Sequence, residues 1–154
     1  PEMSRGLGDV YKRQTVNGSA NVEYSAPMTW NINRDAGSNS SMVNNGVDTS
    51  VIVFAIDGNY RIEDALNSML KDYSKKSKNY KLIKPASYTA VGSKKGYRAV
   101  FSYEDNQGLA YIMDIFICND GNNCVQCILD TPIEYYGAKN IKIFETVIDS
   151  VNVK

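Results

Sequence analysis

Three cysteines close together in the chain are the first residues whose type and spacing indicate chemistry. Cys124 and Cys127 form a CxxC pair, and Cys118 stands six residues before them. A redox CxxC lies at the start of a helix, where the dipole lowers the thiol pKa, but this pair lies in a strand pattern whose side chains alternate between faces. Zinc needs two such pairs or histidines, and the chain has three cysteines and no histidine. The sequence therefore predicts neither a redox site nor a metal site, and no cofactor.

A hairpin turn at 120–122 suggests a different role for two of these cysteines. If this turn has three residues, with Gly121 in a left-handed conformation, Cys118 and Cys124 lie directly opposite each other on one face of the sheet. Opposed strand positions bring side chains close enough for a disulfide. The sequence thus predicts a Cys118–Cys124 disulfide, with Cys127 as a small buried side chain. The alternative is that all three cysteines are reduced and buried.

Carboxylates are the other candidate catalytic groups. The predicted strands place Asp114, Asp130 and Glu104 near one another on the second face of the sheet, and two carboxylates in different surroundings can act as general acid and base. The alternative is that they are solvated or ion-paired at the sheet edge. The oxygen-rich segments 57–59 and 119–123 are interpreted as turns, because neither fits the twelve-residue calcium loop with its terminal Glu.

Composition narrows the classes of function. The chain has 154 residues, a formal net charge of zero and no histidine, the commonest general base and metal ligand. We therefore predict that it is not an enzyme. Nucleic acids and anionic membranes are normally bound by clustered Lys and Arg, whereas the lysine run at 75–84 suits a solvated helix end. We predict no nucleic-acid partner, and membrane attachment only through an N-terminal anchor lost from this sequence.

Four aromatic residues outside the clearly periodic segments are the candidate binding residues. Tyr24, Trp30, Tyr135 and Tyr136 are predicted to line a binding surface, because aromatic side chains with a polar end favour interfaces. The alternative is packing in the core or at the sheet edge. The partner is predicted to be a protein or a small ligand of unknown identity.

The N-terminal segment differs in character from the rest of the chain. Residues 1–14, PEMSRGLGDVYKRQ, resemble translated sequencing-adapter sequence, and the alternative is a native disordered tail. Residues 15–21 are small and polar, as is typical of a linker. We expect residues 1–20 to be tail and linker, residues 21–154 to form one domain, and the natural start of the gene to be missing.

The remaining sequence alternates strand patterns with two helix patterns. Residues 51–56 are continuously apolar, which indicates a strand buried on both faces. Residues 62–73 place six apolar side chains on one helical face, and a second helix is predicted at about 138–151. Further strands are predicted at 22–24, 29–33, about 42–43, 80–83, 87–91, 97–104, 109–118 and 124–129.

Pairing the later strands through their turns predicts a register. The predicted opposed pairs are Phe101 with Tyr111, Ala99 with Met113, Ile115 with Cys127, and Ile117 with Val125. One apolar face then runs through three strands, and the other face is apolar in part. The sequence therefore predicts an α+β fold, an antiparallel β-sheet flanked by helices in an αβα sandwich.

Three segments resemble the PsbP-like domain family. Residues 22–30, VEYSAPMTW, are similar to the family's opening F-x-Y-P-x-x-W, with Pro27 two residues later than usual. Residues 96–103, GYRAVFSY, are similar to its G-x-x-A-x-x-x-x-Y strand. Residues 144–151, FETVIDSV, which follow Tyr135 and Tyr136, resemble its closing F-x-x-I-x-x-S helix. The resemblance covers about residues 21–153 and extends to the order of strands and helices.

The resemblance implies an αβα sandwich in a prokaryotic extracytoplasmic protein, often lipid-anchored and without catalytic activity. We therefore expect a non-catalytic binding or interaction domain that is secreted or held at the cell surface. Two alternatives stay open. One is an enzyme that uses Asp114 and Asp130, and the other is an intracellular adaptor of the same fold.

Overall fold

Seven antiparallel strands form the central sheet of the protein. The structure, a computed structural model, describes residues 11–16, 22–33 and 39–153. The strands of the central sheet are β3 (Asn31–Asn33), β4 (Ser40–Asn44), β5 (Ser50–Asp57), β6 (Lys78–Val91), β7 (Lys94–Glu104), β8 (Ala110–Asp120) and β9 (Asn123–Pro132). Their order across the sheet is β3-β4-β5-β9-β8-β7-β6.

Two helices and a small second sheet cover the central sheet. The small sheet contains β1 (Tyr11–Val16), β2 (Val22–Pro27) and β10 (Asn152–Val153), in the order β1-β2-β10. Helix α1 (Ile62–Lys76) follows β5, and helix α2 (Ala138–Ser150) follows β9 after a short 3-10 helix (Ile133–Tyr135). All the described strand pairs are antiparallel. The predicted α+β fold with an antiparallel sheet between helices is therefore confirmed.

Each face of the central sheet has its own hydrophobic core. On one side, which we call the α1 face, Leu66 and Leu70 of α1 pack over Phe101 and Ile115. On the other side, the α2 face, α2 and β2 together bury the sheet, and Phe144 of α2 is fully buried in that core. Burial of apolar area on both faces is the main force that holds these layers together.

The strongest sequence patterns are confirmed. The six apolar positions predicted for the first helix are all buried or half-buried in α1. Helix α2 ends at Ser150, one residue before its predicted end. Strand β5 sends alternate side chains to the two cores, as predicted for a strand buried on both faces: Val51, Val53 and Ala55 to the α2 face, Ile52, Phe54 and Ile56 to the α1 face.

Residues 11–16 differ from the predicted tail and linker, because they form strand β1 along the whole length of β2. Arg13 also donates hydrogen bonds to the Ser150 carbonyl at 3.3 Å and to Glu23 at 3.2 Å. An open strand edge presents backbone groups that need partners, and pairing with them requires no apolar periodicity. The interpretation of residues 1–14 as adapter sequence stays a prediction. Residues 1–10 and 17–20 lie outside the described part of the chain.

Prolines explain two differences in strand boundaries. Strand β2 continues to Pro27, and the residues after it form a turn in which the Trp30 N–H donates to the Pro27 carbonyl at 3.1 Å. Only the last three residues of the predicted strand 29–33 are therefore extended. The strands predicted at 80–83 and 87–91 are one strand, β6, whose register is irregular between Lys78 and Ser87. Pro85 lies there and cannot donate a backbone hydrogen bond, so the strand bulges instead of ending.

Two-residue turns set the register of the central hairpins. Gly92 and Gly121 begin the turns after β6 and β8 with φ of +58° and +62°, which is the type II′ pattern. The turn after β8 has one residue fewer than predicted, so Ile115 lies opposite Ile128 and not opposite Cys127. The predicted β8–β9 register is therefore wrong by one residue, and β9 presents its other set of side chains to each face.

The predicted β7–β8 register is wrong by two residues, but this error does not move side chains to the other face of the sheet. Phe101 lies opposite Met113, and Ala99 lies opposite Ile115. A shift of two residues keeps every side chain on its predicted face, because side chains alternate with a period of two. The apolar face shared by β7 and β8 is therefore present as predicted.

Candidate functional site

The predicted Cys118–Cys124 disulfide is wrong because of the one-residue shift. Cys118 lies opposite Val125, so it contributes to the α2-face core while Cys124 contributes to the α1-face core. All three cysteines are free and buried, which matches the alternative of reduced, buried thiols. Burial raises the pKa of Cys118 to about 12 and also raises that of Cys127. Neither thiol is suited to act as a nucleophile at neutral pH.

The same shift separates the carboxylates that were predicted to lie together. Asp114 is fully buried on the α2 face, whereas Asp130 lies on the α1 face and accepts a hydrogen bond from the Tyr103 hydroxyl at 2.7 Å. Glu104, at the end of β7, is 4.0 Å from the Lys78 ammonium. Carboxylates on opposite faces of a sheet cannot act on one substrate. The alternative of an enzyme using Asp114 with Asp130 therefore has no geometric basis.

Two of the four predicted aromatic binding residues pack inward. Tyr24 is fully buried in the α2-face core, and its hydroxyl shares a hydrogen bond with that of Ser41. The prediction that Tyr24 lines a binding surface is therefore wrong, since the hydroxyl that suited it to a surface is satisfied inside the core. Trp30 is half-buried and packs against the same core.

The other two, Tyr135 and Tyr136, are adjacent in sequence but line different clefts. Tyr135 is 52% exposed and lines a cleft of ≈ 430 Å³ beside the start of α2. Tyr136 is half-buried and lines a cleft of ≈ 270 Å³ between β6, β7 and α2. Its hydroxyl donates to Asp114 Oδ2 at 2.9 Å. Of the four, these two line clefts.

Arg98 forms the floor of the ≈ 270 Å³ cleft, which we call the Arg98 cleft. Its Nε and Nη2 donate to the two carboxylate oxygens of Asp114 at 2.9 and 2.8 Å. Its Nη1 donates outward to Glu145 Oε2 at 2.7 Å, and the guanidinium carbon lies 5.5 Å from the centre of the Phe144 ring. The planar fork of Arg is therefore fixed on three sides, by a carboxylate, an aromatic face and a helix.

The charges of this cluster are mutually stabilised. Burial lowers the pKa of Arg98, but the hydrogen bonds and negative charges of Asp114 and Glu145 outweigh it and hold that pKa above its usual value. Burial, together with the charge of Asp114 and the hydrogen bond to it, raises the pKa of Tyr136. Both groups therefore keep their protons over the whole physiological range and act as hydrogen-bond donors and not as acid–base catalysts.

The sequence contained a signal for this cluster that the predictions missed. Arg98 and Asp114 are single charges inside the apolar segments GYRAVF and MDIF. Val100 lies opposite Asp114, so Arg98, two residues before Val100, is the diagonal neighbour of Asp114 on the same face. Opposite charges on adjacent buried strands indicate an internal ion pair, because a buried charge is tolerated only when it is paired. Glu145 comes from a distant helix and could not have been found in this way.

One end of the central sheet carries a second group of candidate residues, and we call it the loop end. It contains the β4–β5 turn (45–49), the β7–β8 turn (105–109) and the 3-10 helix. The register brings these together, since Ser50 pairs with both Asn44 and Asp130 while Tyr111 pairs with Pro132. Four large apolar side chains are exposed here: Val47 (84%), Leu109 (55%), Tyr135 (52%) and Ile133 (50%).

Side-chain hydrogen bonds hold both turns of the loop end in place. Asn45 Oδ1 accepts from the backbone N–H groups of three residues, at 2.9, 3.0 and 3.1 Å. Asp105 Oδ1 accepts from the N–H groups of Gln107 and Leu109, both at 2.9 Å. Two of the exposed apolar side chains, Val47 and Leu109, are therefore presented on turns of fixed shape.

A cleft of ≈ 510 Å³ at the loop end contains acidic and aromatic groups. Tyr103 and Tyr111 have ring centres 5.8 Å apart and line it together with Asp48, Asp105 and Asp130. Burial raises the pKa of Asp130, although the hydrogen bond from Tyr103 opposes the shift. Among the ion pairs of residues 11–16, 22–33 and 39–153, none involves Asp130.

The described residues contain neither a candidate metal cluster nor a candidate membrane-spanning helix. No group of three or more Cys, Asp or Glu side chains in that part of the chain has a geometry that could hold a metal ion. No helix within the described ranges is both long and apolar enough to cross a membrane.

Comparison with known proteins gives structural matches only. No protein-family model and no curated protein matches the sequence. A protein from Bacteroides thetaiotaomicron VPI-5482 superimposes with a TM-score of 0.68 and 21% identity over 94% of this chain. The match covers 49% of that protein, so the chain spans about half its length.

Two further structures match over nearly their whole length. Cyanobacterial PsbP (CyanoP) from Synechocystis sp. PCC 6803 has a TM-score of 0.63 and 15% identity, covering 94% of this chain and 93% of its own. The Ran-binding protein Mog1p from Saccharomyces cerevisiae has a TM-score of 0.61 and 9% identity, covering 93% and 95%. At such identities the likeness concerns the fold alone. The chain therefore has a PsbP-like fold, with an antiparallel sheet sandwiched between helices.

Proposed function

We propose that the protein is a non-catalytic binding domain that acts outside the cytoplasm of a prokaryotic cell and binds a protein partner through its loop end. The observation that carries the proposal is the group of four exposed apolar side chains around two clefts at that end. Exposed apolar residues grouped on one surface are typical of interaction sites, and Tyr is enriched among the residues that dominate interface energies.

The surface has the features of a preformed interface. Val47 and Leu109 lie on turns fixed by Asn45 and Asp105, so that little conformational entropy is lost there when a partner binds. The Thr49 and Thr131 hydroxyls, buried and 2.8 Å apart, attach the β4–β5 turn to the end of β9. A fold shared with a Ran-binding protein supports a protein partner by analogy.

The partner site is tested with paired variants at opposite ends of the sheet. Photo-crosslinking from position 47 in cells of the native host identifies the partner, and calorimetry with the purified partner measures affinity. The double variant Val47→Asp with Leu109→Asp is expected to weaken binding at least tenfold. Tyr60→Ala, which removes an exposed side chain at the opposite end, is the control and should bind as the wild type does. Equal affinity in all three proteins would refute the proposal.

The extracytoplasmic location rests on the resemblance of the sequence to PsbP-like domains. It is tested by expressing the gene from its natural start in the native host and fractionating the cells. The proposal requires the protein in the membrane or extracellular fraction, after removal of a signal sequence. A protein confined to the cytosol would instead favour the intracellular adaptor.

A further inference from the structure

We propose that the Arg98 cleft binds a small organic acid, whose carboxylate replaces that of Glu145 on Arg98 Nη1. This site is separate from the loop end and does not depend on the function proposed there. Its lining comes from β6, β7, α2 and Tyr136, and Arg98 supplies the fixed cation at its floor.

Arg98 is held so that only Nη1 can exchange its present carboxylate partner for that of a ligand. Its Nε and Nη2 are both used by Asp114, which is fully buried and is also held by the Tyr136 hydroxyl. The guanidinium therefore cannot turn, and Nη1 keeps its outward direction. A guanidinium held in this way recognises a carboxylate without paying rotamer entropy on binding.

Glu145 occupies that donor but is not locked on it. Its side chain is 42% exposed, against 18% for Arg98 and none for Asp114. When a ligand carboxylate takes its place, Glu145 can turn into water, so one charge-assisted hydrogen bond replaces another. Because the pair on Nη1 is exchanged and not broken, Arg98 stays neutralised throughout.

The wall that faces Glu145 supplies donors with no other described role. Lys84, Ser87 and Thr89 of β6 line the cleft. Their backbones pair with β7, but within the described ranges their side chains form no hydrogen bond or ion pair. An ammonium and two hydroxyls beside an arginine form a donor set suited to an anion. Val100 and Ile141 line the same cleft and offer apolar contact, which favours an organic acid over inorganic phosphate.

The test is a titration of the isotope-labelled protein with succinate, followed by NMR at the Arg98 side chain and at the β6 amides. Acetate, phosphate and uncharged succinamide serve as comparison probes at equal ionic strength. Succinate is expected to shift the Arg98 signals saturably, succinamide to leave them unchanged, and phosphate to bind at least fivefold more weakly. If succinate shifts no Arg98 signal in the wild type or in Glu145→Ala, the proposal is overturned.

Two substitutions with opposite expected effects separate binding from a purely structural role. Glu145→Ala removes the competing carboxylate and should tighten succinate binding at least fivefold. Lys84→Met removes one charge of the wall and should weaken it by a similar factor. Lys81→Met removes a charge from the same strand outside the cleft and should leave affinity unchanged. Weaker binding by Glu145→Ala, or equal losses in both lysine variants, would refute the exchange.

Discussion

Replacing Asp114 by alanine should be among the most destabilising single substitutions in this protein. The Asp114 carboxylate is fully buried and accepts three hydrogen bonds, two from Arg98 and one from Tyr136. Its removal leaves a guanidinium that is only 18% exposed with Glu145 as its one remaining partner. Breaking a buried ion pair by removing one member costs about 3–5 kcal/mol. A hydroxyl left without its acceptor adds about 1 kcal/mol or more.

We expect Asp114→Ala to lower the free energy of unfolding by about 4 kcal/mol. The two costs are not fully additive, because water that enters the vacated space can solvate both the guanidinium and the hydroxyl. A matched control is Glu145→Ala, which removes the other carboxylate on the same arginine. The Glu145 side chain is 42% exposed, and exposed ion pairs contribute about 0–1 kcal/mol. The two substitutions therefore remove carboxylates that share Arg98 but differ in burial and in the number of hydrogen bonds, three for Asp114 and one for Glu145.

A double variant tests whether the cost comes from the unpaired charge. Arg98→Met with Asp114→Leu removes both charges and fills the space with apolar atoms. Replacing a buried pair by apolar residues of similar volume is often neutral, so we expect the double variant to be more stable than Asp114→Ala by about 2 kcal/mol or more. If the single variant does not fold, Asp114→Asn, which keeps the shape and one of the two acceptor oxygens, takes its place.

The assay is urea unfolding at pH 7, followed by circular dichroism. With a slope of about 2 kcal/mol per molar urea, a loss of about 4 kcal/mol lowers the midpoint by about 2 M. Glu145→Ala should lower it by less than about 0.5 M. A loss for Asp114→Ala below about 1 kcal/mol, or equal to that of Glu145→Ala, would refute the account of the buried cluster. So would a double variant less stable than the single one.

Three further predictions concern a turn, the thiols and a carboxylate. Gly92→Ala should lower the melting temperature at least twice as much as Gly108→Ala, because both have positive φ but only at Gly92 would the new Cβ overlap the Asp149 side chain. Mass spectrometry of alkylated, non-reduced protein should find three free thiols that react only after unfolding, and a bridge from Cys118 to Cys124 would contradict the β8–β9 register. Burial raises the pKa of Asp130 in the folded protein. At pH values above about 4, the pKa of Asp in the unfolded chain, ionisation of Asp130 therefore lowers the stability of the native state. Asp130→Asn should therefore be more stable than wild type at pH 7, and a gain that did not shrink as the pH falls to about 4 would contradict this.

Much of the fold follows from patterns in the sequence, because local periodicity and burial agree in most elements. Helix α1 has its apolar side chains on one face, so only that face can pack on the sheet. Strand β5 is apolar throughout, so it must lie between the two cores. Strand β1 could not be predicted in this way. It is held by backbone pairing with β2, and backbone groups leave no pattern in the side chains.

The position of β9 could not be predicted from hydrophobicity. Cys124 and Ile128 point to the α1 face, and Val125, Cys127 and Leu129 point to the α2 face. Both faces of this strand are apolar, so a shift by one residue buries about as much apolar surface as the true register does. Register is weakly specified by such a strand, and the turn that precedes it decides the pairing. Gly121 fits a three-residue turn and a type II′ turn equally well in sequence.

The length of that one turn also decides the chemistry of the carboxylates. In the three-residue turn, Asp130 would share a face with Asp114, as a catalytic pair requires. In the type II′ turn, Asp130 points to the α1 face beside Tyr103, and Asp114 is left with Arg98 alone as a charged neighbour on its own sheet. In this ion pair both groups keep their charges at neutral pH. Such a pair suits a binding site better than an acid–base mechanism, which requires groups that exchange protons. Asp114 is therefore a positioning residue, since it acts only by fixing the direction in which Arg98 Nη1 faces the cleft.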